Sequence, residues 1–392
     1  MKKVIDSEKL PIKLWLDDIE DGALEQAKNL ANLPFAFKHI AIMPDSHQGY
    51  GMPIGGVVAT KDVIIPNAVG VDIGCGMCAV KTSLTEIDTE TLKKIMGEIR
   101  KVIPLGFNKH KEPQDRNLMP LKETEEAMKL FIVNSEFENA TKQIGTLGGG
   151  NHFIEIQKGS DGHIWIMVHS GSRNLGYKVA NHYNKLAQEL NMKWYSNVPP
   201  FKGEDGLAFL PVDSEEGQSY IQEMNYCVEF ALANRKLIME RIKEGFTGVF
   251  GTEIWYEDFI NIAHNYASLE NHFGQNVWVH RKGATLARQG TIGIIPGSMG
   301  SASYIVKGKG NQESFMSCSH GAGRKMGRKQ AIRTLNLEEE QKKMEGILGK
   351  PRGQQDLEEA PGAYKDISVV MENQKDLVDI LVELKPLAVI KN

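Results

Sequence analysis

Several features that mark whole classes of protein are scarce in this sequence. Its 392 residues include 4 cysteines, too few for a secreted scaffold held together by disulfides. The first ten residues, MKKVIDSEKL, contain no apolar core of the kind found in signal peptides. The uncharged stretch 289–306 is interrupted by Pro296 and by several glycine and serine residues, so it is too polar to cross a bilayer. We therefore expect a reduced, cytoplasmic protein with no membrane partner.

An excess of basic charge is also missing. The chain has 46 lysine and arginine residues against 50 aspartate and glutamate residues, a net charge of -4. It therefore lacks the global positive field that drives non-specific binding to nucleic acids. Taken alone, this charge argues against a nucleic-acid-binding protein.

Common nucleotide-binding motifs and repeat patterns are absent as well. The sequence contains no GxxxxGKS/T and no GxGxxG that opens a helix, which excludes a P-loop NTPase and leaves a Rossmann site unsupported. No fixed-period repeat, low-complexity tract or linker rich in serine and proline divides the chain. We therefore expect residues 1–392 to form a single domain.

Hydrophobic patterning predicts a mixture of helices and strands. Apolar residues at helical spacing predict helices over 88–103, 122–142, 216–244 and 255–268. Short β-branched or alternating runs predict strands at 39–43, 57–60, 152–156, 164–169 and 276–280. Because helices and strands do not alternate regularly, we expect an α+β fold, a large mixed sheet with helices packed around it, rather than a doubly wound sheet.

The glycines are concentrated in six clusters at the ends of the strand-like runs, where backbone can approach a ligand closely. A single cluster of this kind is most simply a tight turn. Here the six are interleaved with His, Cys, Asp and Arg, which favours one shared site in one interwoven domain. The clusters are GYGMPIGG (49–56), VGVDIGCG (69–76), GTLGGGNH (145–152), SGSRNLG (170–176), PGSMGSAS (296–303) and SHGAGR (319–324).

Four residues beside these clusters have side chains suited to a transition metal. Asp72 and Cys75 are three apart in DIGC. His152 follows a triple glycine, and His169 ends a strand just before SGSR. A lone histidine is more often a hydrogen-bonded core or surface residue. Carboxylate, thiolate and imidazole groups that all adjoin glycine loops instead favour a metal site.

Cys75 and Cys78 also form a CxxC sequence, which has two other interpretations. A structural zinc site requires a second Cys or His pair at short spacing, and none follows. A thioredoxin-like pair opens a helix after a strand, whereas glycines flank Cys75. Cys78 is therefore interpreted as a small buried apolar residue.

Three stretches carry the donors that a phosphate requires, namely backbone N–H groups, hydroxyls and guanidinium groups. They are 171–173, 298–303 and 321–324. Residues 324–333, RKMGRKQAIR, contain five basic residues and no acidic ones, which fits either a solvated helix face or a track for an RNA backbone. His320 is a candidate general base, metal ligand or nucleophile, and the residues alone leave these three roles open.

Eight segments, in this order along the chain, closely resemble those of the RtcB-type RNA-splicing ligases. They are MPDSHQGYG, VGVDIGCGM, GTLGGGNHFIEI, VHSGSR, PGSMGSASYIV, SHGAGRKM, AYKDI and VIKN. The resemblance covers essentially the whole chain. It implies a GTP-dependent and manganese-dependent RNA ligase with a central cleft for metal and nucleotide.

The resemblance also implies a reaction and its partners. Such enzymes join RNA ending in a 2′,3′-cyclic phosphate or a 3′-phosphate to RNA beginning with a 5′-hydroxyl, in tRNA splicing or RNA repair. In the family scheme, water first opens the cyclic phosphate. A histidine takes GMP from GTP and passes it to the RNA 3′-phosphate, and the 5′-hydroxyl then displaces GMP. RNA and an archease-like activator are the implied partners.

By position, the resemblance assigns the guanylated histidine to His320 and a further active-site acid to Asp45. It assigns phosphate binding to Arg173, Arg324 and Arg328. The implied ligands of two manganese ions are Asp72, Cys75, His152, His169 and His264, the last of which lies within the helix predicted over 255–268. The implied nucleotide contacts are Asn151, Glu155, Ser298, Ser303, Gly321, Ala322, Gly323, Tyr364 and Lys391.

Two alternative functions remain open from the sequence. A metal-dependent phosphodiesterase or phosphatase would use the same metals without forming the guanylate. A non-catalytic nucleotide- or RNA-binding module would bind GTP or RNA without joining ends. The Cys, His and Asp donors by themselves suit zinc or iron, so manganese follows from the resemblance alone.

Overall fold

The computed structural model describes residues 1–120, 129–198, 203 and 206–392. Within these residues the chain forms two large sheets with helices packed around them, which confirms the predicted α+β fold. The strands are β1 (Lys3–Ile5), β2 (Ile12–Leu14), β3 (Ala36–His47), β4 (Ile54–Thr60), β5 (Val63–Ile64), β6 (Gly76–Thr82), β7 (Phe153–Gly159), β8 (Ile164–Ser170), β9 (Leu210–Pro211), β10 (Tyr256–Ala263), β11 (Asn265–His272), β12 (Gln275–Lys282), β13 (Ala284–Leu286), β14 (Ile292–Ile295), β15 (Ser303–Gly308), β16 (Ser317–Ser319) and β17 (Val378–Ile390).

The helices range from one turn to 36 residues, and the longest is capped at both ends. Ser214 accepts a hydrogen bond from the N–H of Gly217, and Gly251 ends the helix in the left-handed conformation. Across the described ranges, no helix is both long and apolar enough to cross a membrane. The helices are α1 (Asp21–Ala31), α2 (Pro66–Val69), α3 (Thr89–Val102), α4 (Phe131–Thr141), α5 (Arg173–Lys193), α6 (Glu215–Phe250), α7 (Arg328–Thr334), α8 (Leu337–Lys343) and α9 (Ile367–Glu372).

Most strands belong to two sheets. In the described part of the chain, the first sheet has six strands in the order β1-β2-β3-β4-β12-β11, of which β2 and β3 are parallel. The second has seven strands in the order β10-β6-β8-β7-β17-β15-β14, and its neighbouring strands are antiparallel. The pairs β13-β16 and β5-β9 are separate.

The apolar core lies between the sheets and the helices that cover them. Helices α3 and α6 cover one face of the seven-stranded sheet, where Ile99 and Phe246 pack with strand residues such as Ile166. Next to the six-stranded sheet, Trp15 and Phe315 belong to another buried cluster. Fully buried side chains of this size hold the strand ends in fixed positions.

Strand β8 lies inside the seven-stranded sheet, between β6 and β7. All of its residues are buried, which explains its continuous apolar run instead of an alternating pattern. Gly76, at the start of β6, pairs with Ser170, and Phe153, at the start of β7, pairs with His169. The loops that precede β6 and β7 therefore adjoin the loop that follows β8.

Helix α6 fixes the loop before β6. Its buried Arg235 donates hydrogen bonds to the carbonyl oxygens of Gly74 and Ser170, each at 2.9 Å. Gly74 adopts a φ of +73°, and a Cβ atom there would lie 2.8 Å from Cα of Val228 on the helix. Only glycine lets the loop approach the helix so closely.

Most of the predicted elements are present. The predicted helices over 88–103 and 216–244 correspond to α3 and α6. The helix predicted over 122–142 is confirmed as α4, while 122–128 lie outside the described residues. The five predicted strands correspond to β3, β4, β7, β8 and β12.

The helix predicted over 255–268 is wrong. These residues form β10, which pairs with β6, and the first part of β11. Between Glu257 and Ile260, β10 carries one residue more than β6, a β-bulge at which Asp258 adopts a φ of +54°. The bulge interrupts the two-residue alternation of the strand, so its apolar residues fall at a spacing that also suits a helix.

Candidate active site

Cys75, His152 and His169 meet at the sheet edge where β6, β7 and β8 adjoin. The Sγ atom of Cys75 lies 3.3 Å from Nε2 of His152 and 3.2 Å from Nε2 of His169. All three side chains are buried, and their ligand atoms lie within 4.8 Å of one another. A thiolate and two imidazoles at these separations suit a transition metal.

The backbone orients both imidazoles. Nδ1 of His152 lies 3.0 Å from the carbonyl oxygen of Leu147, and Nδ1 of His169 lies 3.0 Å from that of Asn151. Since a carbonyl oxygen only accepts, each Nδ1 donates its proton there and each Nε2 presents a lone pair toward Cys75. Metal-binding histidines usually make this additional contact.

Asp72 joins the same cluster from the loop before β6. Its Oδ2 atom lies 3.1 Å from Nε2 of His152, so two acceptors face each other at a distance that a shared cation would stabilise. Burial and the Asp72 charge raise the pKa of the Cys75 thiol well above its ordinary value. A thiolate at this position therefore requires a cation beside it.

His264 lies between β10 and β11, not within a helix as predicted. Its N–H donates to the carbonyl oxygen of Cys75 at 2.8 Å, and its ring centre is 5.2 Å from that of His169 and 4.8 Å from that of His320. Its buried Nδ1 atom has no hydrogen-bond partner among the described residues. An unpartnered imidazole nitrogen beside Cys and His donors fits a metal ligand.

The imidazole of His320, after β16, is held by Asp45 at the end of β3. Nδ1 of His320 lies 2.6 Å from Oδ2 of Asp45, which also accepts from the N–H of His320 at 3.1 Å. Burial favours a raised pKa of Asp45, but the charge and hydrogen bond of His320 outweigh it and lower that pKa. Because the carboxylate holds Nδ1–H, Nε2 is left as a nucleophilic nitrogen.

Arg173 begins α5 and directs its guanidinium toward the loop before β7. A Cβ atom on Gly148, whose φ is +92°, would lie 2.2 Å from Nη2 of Arg173, so this contact requires glycine. Nη1 of Arg173 is 3.2 Å from Nδ1 of His152. Its buried Nε has no hydrogen-bond partner within the described ranges. An unused guanidinium donor beside the metal cluster suits a phosphate.

Glu359 gathers four of the predicted binding residues around one buried carboxylate. It accepts from Nη1 of Arg324 and Nε of Arg328, each at 3.1 Å, and from Nζ of Lys391 at 3.2 Å. The hydroxyl of Tyr364 also donates to it. Burial favours a raised pKa of Glu359, but Lys391, the Tyr364 hydrogen bond and the arginines outweigh it and lower the pKa to about 2.

The pKa of the Glu155 carboxyl is shifted in the opposite direction from that of Glu359. Burial raises its pKa to about 8. Nε2 of Gln157 donates to Glu155 at 2.6 Å and to Oγ of Ser303 at 3.2 Å, and Ser303 also accepts from the N–H of Gly297. Ser303 therefore supports the site from behind, whereas Ser298 lies at its surface.

One open cleft, with a volume of about 1560 Å³, brings most of the predicted site residues together. Asp45 and Ser303 lie behind its surface, bonded to His320 and Gln157. The individual roles implied by the resemblance stay predictions. The predicted residues that line the cleft are Asp72, Cys75, Asn151, His152, Glu155, His169, Arg173, His264, Ser298, His320, Gly321, Ala322, Gly323, Arg324, Arg328, Tyr364 and Lys391.

Sequence reasoning missed two groups that hold the site together. The role of Glu359 could not be predicted from the sequence, because the residues that bind it lie elsewhere in the chain, as far away as Lys391. Asn265 donates to the carbonyl oxygen of Asp72 and accepts from the N–H of Gly283. In the sequence, only its position next to His264 indicated that Asn265 lies near the site. Cys78 is buried in β6 with its Sγ 3.7 Å from the carbonyl oxygen of Arg235, as expected of a small apolar residue.

Comparison with known proteins shows which family the chain belongs to. The sequence matches the family described as tRNA-splicing ligase RtcB over residues 26–132 and 108–392. Two Escherichia coli proteins, RNA-splicing ligase RtcB1 and RNA-splicing ligase RtcB, are 37% and 36% identical to it, with 99% of each chain covered. The tRNA-splicing ligase RtcB of Thermococcus kodakarensis is 32% identical over 98% of this chain and 95% of its own. The chain therefore belongs to the RtcB family of tRNA-splicing ligases.

Proposed function

We propose that this protein is an RNA ligase of tRNA splicing or RNA repair. It would use GTP to join ends carrying a 2′,3′-cyclic phosphate or a 3′-phosphate to ends carrying a 5′-hydroxyl. Ligase activity is supported by family membership over nearly the whole chain. The observation that carries the proposal is the His320–Asp45 pair, which lies next to His264 in the metal-binding part of the cleft.

In this proposal two manganese ions are held by donors of the cluster. The close Cys75, His152 and His169 ligand atoms and the unpartnered Nδ1 of His264 support a metal site. Bound metal neutralises charge on the attacking and leaving oxygens of a phosphoryl transfer. The proposed ligands are Asp72, Cys75, His152, His169 and His264.

His320 is the proposed nucleophile. With its Nδ1 proton held by Asp45, Nε2 attacks the α-phosphorus of GTP. A P–N bond forms, the bond from that phosphorus to the bridging oxygen breaks, and pyrophosphate leaves. Asp45 stabilises the positive charge that develops on the imidazole. Histidine suits this carrier role because its neutral nitrogen is nucleophilic near neutral pH.

The guanidinium groups of Arg173, Arg324 and Arg328 are the proposed ligands of the reacting phosphates. Water first opens a cyclic phosphate to the 3′-phosphate. An oxygen of this 3′-phosphate then attacks the guanylate phosphorus, which frees His320 and leaves GMP on the RNA. Finally the 5′-hydroxyl oxygen attacks the RNA phosphorus, loses its proton and displaces GMP.

The remaining predicted residues are proposed to hold the nucleotide. Glu155 is buried but lines the cleft. Its ionised carboxylate would accept hydrogen bonds from the N–H donors of a guanine base, which would lower the pKa that burial raises in the free protein. The loops before and after His320 offer hydroxyl and N–H groups to the ribose and phosphates. The proposed nucleotide contacts are Asn151, Glu155, Ser298, Gly321, Ala322, Gly323, Tyr364 and Lys391, and Ser303 would act from behind the surface through its hydrogen bonds with Gln157 and Gly297.

A metal-dependent phosphodiesterase gains no specific support from these observations. Such an enzyme requires the metal cluster and would use the His320–Asp45 pair as a general base, so the pair by itself does not favour it over a ligase. A non-catalytic binding module requires neither. The relatives that match the chain end to end carry the names of ligases.

Incubation with GTP and manganese tests the proposal. The intact protein should gain the mass of one GMP, and His320→Ala should gain none because Nε2 is the only proposed acceptor. His163→Ala is the matched control, since His163 lies between β7 and β8 and outside the cleft, and it should gain the mass as the wild type does. No adduct on the wild type, or an unchanged adduct on His320→Ala, would contradict the mechanism. Repeating the assay with zinc or iron tests the choice of metal.

A cytoplasmic location and an archease-like activator belong to the same proposal. The family resemblance supports the activator, and the small number of cysteines supports a reducing compartment. Adding an archease-like protein to the guanylation assay should raise the rate of GMP addition, and an unchanged rate would count against dependence on an activator.

A further inference from the structure

We propose that three exposed aromatic side chains at the mouth of the cleft stack on unpaired bases of single-stranded RNA next to the ends that are joined. These residues, Tyr50, Phe107 and Tyr177, form the aromatic rim. The inference rests on the proposed RNA-ligase function and adds to it a surface that binds bases.

The rim residues line the cleft, yet little protein covers them. Tyr50 is 55% exposed, Tyr177 is 52% exposed and Phe107 is fully exposed. Single exposed aromatic groups are common on protein surfaces, so exposure alone does not identify a binding surface. Three such groups around one cleft, each close to the proposed phosphate or metal ligands, do indicate one.

Two rim residues lie beside Arg173. Tyr177 follows it by one turn of α5, and both side chains line the cleft. Phe107 follows Gly106, whose N–H donates to the carbonyl oxygen of Gly148 at 2.8 Å. Gly148 itself lies against the Arg173 guanidinium. A phosphate bound to Arg173 therefore has aromatic rings nearby on two different elements.

The third rim residue lies on the approach to the metal cluster. Nζ of Lys282 donates to the carbonyl oxygens of Tyr50 and Asn67, which ties the Tyr50 loop to α2. Just after α2, the half-exposed Val71 lines the cleft and precedes Asp72. Tyr50 is therefore held close to the loop that supplies the proposed metal ligands.

Basic side chains line another part of the same cleft. Arg328, Lys329 and Arg333 belong to α7 and contribute to the cleft surface. Single-stranded RNA presents unstacked bases and a phosphate backbone, which aromatic rings and basic groups bind respectively. A duplex keeps its bases paired and stacked, so the combination of rim and basic residues selects a single strand.

Alanine substitutions in the rim separate RNA binding from nucleotide chemistry. Tyr177→Ala and Phe107→Ala should each raise the KM for an RNA with 3′-phosphate and 5′-hydroxyl ends about tenfold, with GMP addition unchanged. Tyr177→Phe should keep the wild-type KM because its ring still stacks. Trp255→Ala is the matched control, since Trp255 is 67% exposed but lies outside the cleft. Thermal unfolding midpoints equal to that of the wild type show that the variants fold.

An unchanged KM in Tyr177→Ala, Phe107→Ala and Tyr50→Ala would overturn the inference, as would an equal effect of Trp255→Ala. Loss of GMP addition in the rim variants would also overturn it, because the rim would then act on the nucleotide. Failure of the wild type to accept GMP would contradict the proposed function instead. In that case, binding of a fluorescent single-stranded RNA compared with a duplex of equal length still tests the rim, and equal affinity for both would overturn it.

Discussion

At the scale of single residues, Glu359 neutralises the positive charges that line one part of the cleft. Its carboxylate is almost fully buried and binds two arginines and a lysine. In the sequence it is an ordinary acidic residue in LEEAPGAY, where a solvent-exposed position is the usual interpretation. Arg324 was predicted as a phosphate ligand from its glycine loop and Arg328 from the family resemblance, but their common partner depends on which parts of the chain meet.

The lowered pKa of Glu359 predicts a stability that depends on pH. Its carboxyl has an ordinary pKa of 4.5 and a pKa of about 2 in the folded protein, so ionisation stabilises the fold above pH 4.5. This contribution, about 3 kcal/mol, should be lost as the pH falls from 4.5 toward 2. Urea unfolding should show Glu359→Gln less stable than the wild type at pH 7, with the difference shrinking below pH 4.5.

The neighbouring carboxyl supplies the control for this prediction. Glu358→Gln removes the same charge one residue earlier, where the carboxylate forms no ion pair with the described residues. It should change the free energy of unfolding little at either pH. A difference between Glu359→Gln and the wild type that stays constant from pH 7 to below pH 4.5 would contradict the assigned charge interactions.

At the scale of elements, close packing decides what a loop or strand can do. The loop before β6 supplies Asp72 and Cys75, and α6 holds it through Arg235 and the contact at Gly74. The glycine cluster in this loop was predicted to permit close approach to a ligand. The structure shows that one of its glycines instead permits close approach to a helix.

Gly74→Ala should therefore displace the metal-binding loop. The new methyl group would overlap α6 and require a left-handed alanine, which together cost about 3 kcal/mol. The thermal unfolding midpoint should fall, and the content of bound metal measured by mass spectrometry should fall with it.

Gly97→Ala is the control, because Gly97 lies inside α3 with no atom within 4 Å of the new methyl group. Alanine favours a helix interior, so this variant should be as stable as the wild type or more stable. Full metal content in Gly74→Ala would show that the contact with α6 does not position the loop.

At the scale of the whole molecule, the site residues come from nearly the full length of the chain. Asp45 and His320 are 275 residues apart, and Lys391 lines the same cleft. We propose on this basis that residues 1–392 are one domain. The negative net charge of the chain coexists with a cluster of guanidinium groups, because net charge averages over a surface that RNA need not touch.

RNA affinity should consequently depend on a few phosphate contacts near the ends. If Arg173, Arg324 and Arg328 each bind one phosphate, the logarithm of the association constant should fall with the logarithm of salt concentration at a slope of about −2. Fluorescence anisotropy with a labelled RNA carrying a 3′-phosphate measures this slope. A circular RNA of the same sequence is the control and should bind more weakly. Equal binding of the circle, or a much steeper slope, would indicate contacts spread over the whole surface.

The sequence by itself determined five of the seventeen strands among the described residues, the long helix α6, the glycine loops and the chemical types of the site residues. These follow from hydrophobic period, glycine and side-chain chemistry, which are local properties. Only the tertiary structure decided which groups meet, such as Cys75 with His152 and His169, since such contacts join distant parts of the chain. The tertiary structure also decided that residues 255–268 form strands. Pairing of β10 with β6, with a bulge, outweighed the helical spacing of their apolar residues.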